Sequence, residues 1–160
     1  MKILEVTNLS KTYGTGETQV KALDNVSLSV ESGEFVAIIG PSGSGKSTLL
    51  HILGGVDVPT SGSVVINGVD ISNLDETALA IFRRRQIGLI YQFYNLIPIL
   101  TVKENLTLPL LLDGRKPDER VVDDLLKTLG LTERVNHLPN QLSGCLLYTS
   151  DAADEARSVD

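Results

Sequence analysis

One nine-residue stretch constrains the fold of this chain more than any other. Residues 40–48 fit the pattern G-x-x-x-x-G-K-[ST], and they read Gly40-Pro41-Ser42-Gly43-Ser44-Gly45-Lys46-Ser47-Thr48. The preceding residues 34–39 are apolar and rich in β-branched side chains, which predicts a buried parallel strand, and residues 49–53 have helical spacing. Strand, glycine loop and helix in this order predict a phosphate-binding loop (P-loop) rather than a turn that merely joins two elements.

The residue types of this loop suit a nucleoside triphosphate. Its three glycines allow backbone conformations in which successive N–H groups face inward and, with the positive end of the next helix, form an anion site. Lys46 is predicted to reach the β- and γ-phosphates, and Ser47 to offer an oxygen to Mg²⁺. The motif predicts the ligand and leaves the reaction open.

Composition and charge exclude several classes of function. The chain has 160 residues, enough for a sizeable core, and its net charge of −6 argues against a dedicated nucleic-acid partner. Cys145 is the single cysteine, which excludes an internal disulfide framework and a multi-cysteine metal site. The most apolar region, around residues 106–112, is broken by Pro109 and is too short to span a bilayer, so we expect a cytosolic chain.

Four other segments have clear secondary-structure patterns. Residues 1–9 alternate between apolar and polar and predict an edge or half-exposed strand, and residues 20–30 predict a second strand. Residues 86–92 predict an apolar strand that ends on Gln92, and residues 118–129 predict an amphipathic helix. An antiparallel β-layer ahead of a P-loop strand differs from the plain mononucleotide-binding pattern.

Three stretches of the chain together resemble the ATP-binding subunit of ABC transporters. They are Leu-Ser-Lys-Thr-Tyr at 9–13, Ala-Leu-Asp-Asn-Val-Ser-Leu at 22–28, and the run from Gly33 through the P-loop to Leu50. The resemblance implies an α/β fold of the P-loop NTPase type, with an antiparallel β-layer and a helical subdomain. It also implies that Tyr13 stacks on adenine, whereas a tyrosine in a glycine-rich loop would otherwise be a surface or packing residue.

The same resemblance implies roles for residues nearer the end of the chain. Gln92 would begin the Q-loop and, as a catalytic residue with Lys46, bring its amide to Mg²⁺ or to the attacking water. Residues 140–144, Asn-Gln-Leu-Ser-Gly, would open the ABC signature. Ser143 and Gly144 would then contact the γ-phosphate held by a second copy of the subunit, which implies a homodimer that binds ATP.

The segments at residues 91–102 and 108–116 resemble one branch of this family, the lipoprotein-release, macrolide-export and peptide-antibiotic resistance ATPases. The resemblance implies a membrane permease as partner and a place on the cytoplasmic side of a bacterial membrane. Phe93, Leu96 and Ile97 would dock the permease. Alternatively, these residues build the core of the helical subdomain.

The resemblance stops after Gly144. Residues 145–160 match neither the rest of the signature nor a strand ending in Asp-Glu nor a switch histidine, and they resemble a translated sequencing adapter. We therefore predict a partial nucleotide-binding domain over 1–144, with the Q-loop and helical subdomain from about 93 to 144, and an unrelated tail over 145–160. For the 160-residue fragment this predicts marginal folding or insolubility and no appreciable ATP hydrolysis.

Two other functions fit parts of the sequence. A non-hydrolysing module that uses ATP only to switch an interaction fits a chain in which the second half of the catalytic machinery is unmatched. A small-molecule kinase fits the P-loop alone, but Gln92 and the Leu-Ser-Gly of residues 142–144 speak against it.

Overall fold

In the computed structural model, which describes residues 1–91 and 95–142, the chain divides into two units, Met1–Ala80 and Ile81–Asp160. The first unit contains a β-sheet and the P-loop with its helix. The second unit contains helices and short turns. The helix at residues Glu76–Gln86 runs across the boundary between them.

Four antiparallel strands form the sheet of the first unit in the order β2-β1-β3-β4. They are β1 (Lys2–Tyr13), β2 (Val20–Glu31), β3 (Ser61–Ile66) and β4 (Val69–Asp70). Val6 in β1 lies opposite Leu28 in β2 and Val64 in β3. The predicted antiparallel β-layer is confirmed.

The alternation of residues 1–9 correctly predicted a half-exposed strand, since Val6 and Leu9 are buried while Glu5 and Thr7 are exposed. The alternative of an edge strand is wrong, because β1 lies between β2 and β3. Alternation of apolar and polar residues shows which face of a strand is buried. The number of strands that pair with it depends on segments distant in the sequence and leaves no such pattern.

The P-loop leads into helix α1 (Lys46–Leu53), which confirms the predicted helix. The strand predicted before the loop is absent: residues 34–39 carry no strand assignment, and Phe35 and Ile39 are 97% and 91% exposed. A strand requires a neighbour that supplies backbone hydrogen bonds, and no strand within residues 1–91 and 95–142 pairs with this segment. The apolar pattern of residues 34–39 predicted a buried strand, and this segment is neither a strand nor buried.

The strand predicted over residues 86–92 is also wrong over its described part. Helix α2 (Glu76–Gln86) includes Gln86, and residues 87–91 are irregular. Asp75 caps this helix, since its carboxylate accepts the N–H of Ala78 at 2.7 Å. Ile90 is exposed, so apolar composition again failed to produce a buried strand.

Two helices of the second unit contribute to a shared apolar core. Helix α3 (Val102–Leu112) begins with a capping box between Thr101 and Glu104 and continues through Pro109, and α4 (Glu119–Thr128) confirms the predicted amphipathic helix. The buried cluster consists of Val102, Leu106, Val122, Leu126, Leu131 and Leu142. No helix in the described ranges is long and apolar enough to cross a membrane.

Candidate functional site

The P-loop packs closely against strand β2 through a glycine. Gly45 precedes α1 with φ +85, and Gly43 has φ +79, both in the left-handed region that glycine adopts without strain. A Cβ added at Gly45 would lie 2.3 Å from the carbonyl oxygen of Ala22 and 3.0 Å from a methyl carbon of Leu23. Only glycine therefore allows the loop to turn into α1 at this distance from β2.

The Lys46 side chain folds back over the loop at the start of α1. Its Nζ donates to the carbonyl oxygens of Gly40 at 2.9 Å and Pro41 at 2.7 Å, and lies 3.4 Å from Ser44 Oγ. These partners are neutral dipoles, so they hold the ammonium in place without neutralising it. A phosphate that entered the loop would meet a full positive charge beside the helix N-terminus.

The first turn of α1 fits a magnesium ion bound together with a phosphate. Ser47 is exposed there and offers a hydroxyl oxygen, the type of donor that Mg²⁺ prefers. In residues 1–91 and 95–142 no three His, Cys, Asp or Glu side chains are grouped as metal ligands. Besides Ser47, magnesium would take oxygens from phosphates and water, the usual arrangement for this ion with a nucleotide, and Gln92, a further predicted ligand, lies outside the described residues.

Tyr13 lies at the end of β1 in a polar network beside the same helix turn. Its hydroxyl donates to Asp57 Oδ2 at 2.6 Å, and the side chain of Thr48 lies near that hydroxyl. Lys11 Nζ donates to Asp57 Oδ1 and to the carbonyl oxygen of Val58, both at 2.6 Å. The structure thus places Tyr13 beside Asp57 and near Thr48 of α1, and its adenine role stays a prediction.

The network shifts the pKa values of Asp57 and Tyr13 in opposite directions. Burial raises the pKa of Asp57, but hydrogen bonds from Lys11, Tyr13 and the Val58 N–H outweigh it and keep that pKa below 3.8. The hydrogen bond to Asp57, and then burial, raises the pKa of Tyr13 above 10.0. At neutral pH the Asp57 carboxylate therefore accepts a hydrogen bond from a neutral phenol.

An alkaline titration should reveal the coupling between Tyr13 and Asp57. Because the pKa of Tyr13 is raised, the folded chain holds the phenolic proton more tightly than the unfolded chain does. The stability from this bond is complete below pH 10.0 and is lost as the pH rises through the folded pKa. We expect Asp57→Asn to shift the tyrosinate absorbance of Tyr13, assigned by difference from Tyr13→Phe, to lower pH. An unchanged titration curve in Asp57→Asn would contradict this coupling.

Of the site residues predicted from the sequence, the structure brings together Tyr13 and residues 40–48. Gln92, Ser143 and Gly144 lie outside the described residues. The sequence analysis missed Lys11 and Asp57. Lys11 carried a signal, because it stands two residues after the buried Leu9 in an alternating strand, and a lysine at such a position needs a carboxylate partner. Asp57 lies in the loop after α1, without a comparable local signal.

In the second unit, the loop before α3 is held by one buried amide. Asn105, 3% exposed, accepts the N–H of Ile97 at 2.8 Å and donates to the carbonyl oxygens of Ile97, Leu100 and Thr101 at 3.2, 3.0 and 3.0 Å. Leu96 packs against the apolar cluster, while Ile97 is partly exposed and Ile99 is 81% exposed. The core alternative is thus confirmed for Leu96, and Phe93 lies outside the described residues.

Comparisons with known proteins agree with this geometry. Residues 23–146 match the ABC transporter family. An ABC transporter ATP-binding protein of Thermotoga maritima is 50% identical over 145 residues, which are 89% of this chain and 62% of the relative. The chain thus spans less than two thirds of the length of that relative.

Two solved structures share the fold. The dimeric bacterial ABC transporter cassette MJ0796 is 42% identical, with a TM-score of 0.84 over 98% of this chain and 70% of its own. Its post-hydrolysis state bound to ADP and Pi is 41% identical, with a TM-score of 0.81 over 94% of this chain and 70% of its own. With a family match over residues 23–146, a P-loop at the start of α1 and an antiparallel β-layer, the chain belongs to the ABC transporter ATP-binding family.

Proposed function

We propose that this chain binds ATP with Mg²⁺ as the nucleotide-binding part of an ABC transporter subunit, and that ATP hydrolysis in the whole protein drives a membrane permease. The observation that carries the proposal is the P-loop geometry. Gly45 turns the loop into α1, and the carbonyl oxygens of Gly40 and Pro41 hold the Lys46 ammonium over the loop. The backbone N–H groups of the loop and this ammonium supply the donors and the charge that a triphosphate requires.

Each proposed site residue contacts a different part of the nucleotide. The Tyr13 ring stacks on adenine, residues 40–48 hold the phosphates, and Ser47 with Gln92 faces Mg²⁺ or the attacking water. Lys46 and Gln92 are the proposed catalytic residues. Phosphoryl transfer to water depends on positioning and charge neutralisation, which phosphate- and metal-facing groups provide.

A second copy of the chain completes the proposed site. Its Ser143 and Gly144 would contact the γ-phosphate held by the first copy's P-loop. The dimer reported for the similar cassette supports a homodimer, and its ADP- and Pi-bound state supports nucleotide hydrolysis as the family's reaction.

The proposed permease docks on the loop before α3, at the cytoplasmic side of a bacterial membrane. Ile97 and Ile99 present apolar surface there, and Asn105 holds the loop in place. Export of peptide or lipoprotein-like cargo, or resistance to it, is the proposed role, since the segments at 91–102 and 108–116 resemble ATPases of that branch.

Lys46→Ala tests ATP binding. The substitution removes the side-chain cation at the mouth of the loop, and a hydrogen bond to a charged group contributes about 1.5–3 kcal/mol, so we expect the Kd for ATP with Mg²⁺ to rise about 10- to 100-fold. Calorimetry on the full chain in the cold measures this. Lys116→Ala is the matched control, since Lys116 is an exposed lysine outside the loop. Equal ATP affinity in Lys46→Ala and the unsubstituted chain would refute the proposed site.

The same pair of proteins tests hydrolysis by the fragment. We propose that residues 145–160 lie outside the nucleotide-binding domain, because their sequence contains no apolar run that leads into Asp-Glu and no histidine. Phosphate release by this chain is therefore expected to equal that of Lys46→Ala. Release well above that level would show that the catalytic machinery is present.

A further inference from the structure

We propose that Asp57, held by Lys11, is a positioning residue that fixes the Tyr13 ring for the base of the bound nucleotide. This inference rests on the proposed function, in which Tyr13 meets adenine and residues 40–48 meet the phosphates. Asp57 itself touches the phenol hydroxyl, at 2.6 Å, and acts on the nucleotide only through that ring.

Tyr13 needs such a contact because the residue is 42% exposed. An exposed tyrosine can rotate about χ1 and χ2, and a ligand that stacks on it must then immobilise it. The hydrogen bond to a carboxylate holds the far end of the ring, so two rotations are restrained before the nucleotide arrives. Because the ring is already ordered, nucleotide binding does not lose free energy in ordering it.

Lys11 gives the carboxylate a fixed position. Its side chain is only 11% exposed, and its Nζ donates to both Asp57 Oδ1 and the Val58 carbonyl oxygen. A buried ammonium with two such partners cannot move without losing a charged hydrogen bond, so the carboxylate is held in turn. Lys11 Nζ also lies over one face of the Tyr13 ring, 4.8 Å from its centroid, which assigns the opposite face to the base.

Thr48 places the ring near the helix of the phosphate site. Its side chain lies near the Tyr13 hydroxyl and belongs to the first turn of α1, two residues after Lys46. The Tyr13–Asp57 bond is nevertheless separate from the contacts that Lys46 makes with the loop. Disturbing Asp57 should change how the base is held while leaving the phosphate contacts of the loop in place.

The experiment compares two ligands that differ in the base. The Kd values for ATP and for inorganic tripolyphosphate, both with Mg²⁺, are measured on the full chain carrying Asp57→Asn, Tyr13→Phe or both, and on Tyr13→Ala, which removes the whole ring. We expect each single substitution to raise the Kd for ATP about 3- to 10-fold, the cost of ordering one side chain, and to leave tripolyphosphate unchanged. The double substitution should add little, because both remove one hydrogen bond. Asp24→Asn, at an exposed aspartate of β2, is the matched control.

The outcomes separate this inference from the proposed function. If Asp57→Asn weakens both ligands equally, its role is structural and the inference is overturned. If Tyr13→Ala weakens ATP alone while Asp57→Asn and Tyr13→Phe do not, the inference fails but the adenine contact stands. If Tyr13→Ala leaves the ratio of the two Kd values unchanged, both fail. Should Asp57→Asn not fold, Tyr13→Phe decides, since it removes the same bond and keeps the Lys11–Asp57 pair.

Discussion

Gly45→Ala is expected to destabilise the chain by about 2–4 kcal/mol and to abolish ATP binding. Two costs add at this position. The φ of +85 is strained for alanine by about 1–2 kcal/mol, and the new Cβ would meet the Ala22 carbonyl oxygen at 2.3 Å, so that backbone must move. Relief of this clash also shifts the backbone of Gly45, which directly precedes Lys46. The P-loop and its anion site would therefore be displaced together.

Gly33→Ala isolates the first cost, the backbone strain, so the difference between the two variants gives the cost of the contact with Ala22. Gly33 has the same φ of +85, but a Cβ there meets nothing within 4 Å. We expect it to cost only the strain, about 1–2 kcal/mol, and to leave ATP affinity unchanged. Urea unfolding followed by circular dichroism measures both variants. Equal losses of stability in the two would show that the contact with β2 is unimportant.

Asn105→Asp should destabilise the second unit by about 2–4 kcal/mol at neutral pH. The buried amide donates to three carbonyl oxygens, and a carboxylate of the same shape has no hydrogen to donate and repels all three. The loop at 97–101 would then be released. Asn136→Asp, at an exposed asparagine, is the matched control.

The pH dependence of Asn105→Asp gives a second readout. Burial and the facing carbonyl oxygens raise the pKa of the introduced carboxyl group above its usual value of about 3.9. The variant should therefore recover part of its stability as the pH falls toward that pKa, because the protonated form carries no charge and donates one bond. Urea unfolding at several pH values measures this. A loss of stability that does not depend on pH would mean that the charge is not the cause.

Helix α3 contains one local sequence signal that the structure follows, a capping box, and one that it overrides, an internal proline. Thr101 and Glu104 have the Thr-x-x-Glu spacing of a capping box, which the structure contains. Pro109 predicts a break in the same apolar region, yet the helix continues past it to Leu112. Packing of Leu106 in the apolar cluster offers a reason, since burial can outweigh the hydrogen bond that proline removes.

The sequence by itself determined the features that depend on interactions between residues close together in the chain. The P-loop, the start of α1 and the half-exposed strands follow from limits on backbone conformation and from the period of the apolar side chains. Family membership followed from the same local motifs. The roles of Gln92, Ser143 and Gly144 stay predictions, because these residues lie outside the described ranges.

Only the tertiary structure decided which segments have partners. It placed β1 inside the sheet, left residues 34–39 without a paired strand in the described ranges, and joined Asp57 to Tyr13 and Lys11, which are 44 and 46 positions away along the chain. Hydrogen bonds and ion pairs of this kind depend on where the fold brings distant residues together. A local pattern shows that a side chain needs a partner, and the three-dimensional structure shows which residue provides it.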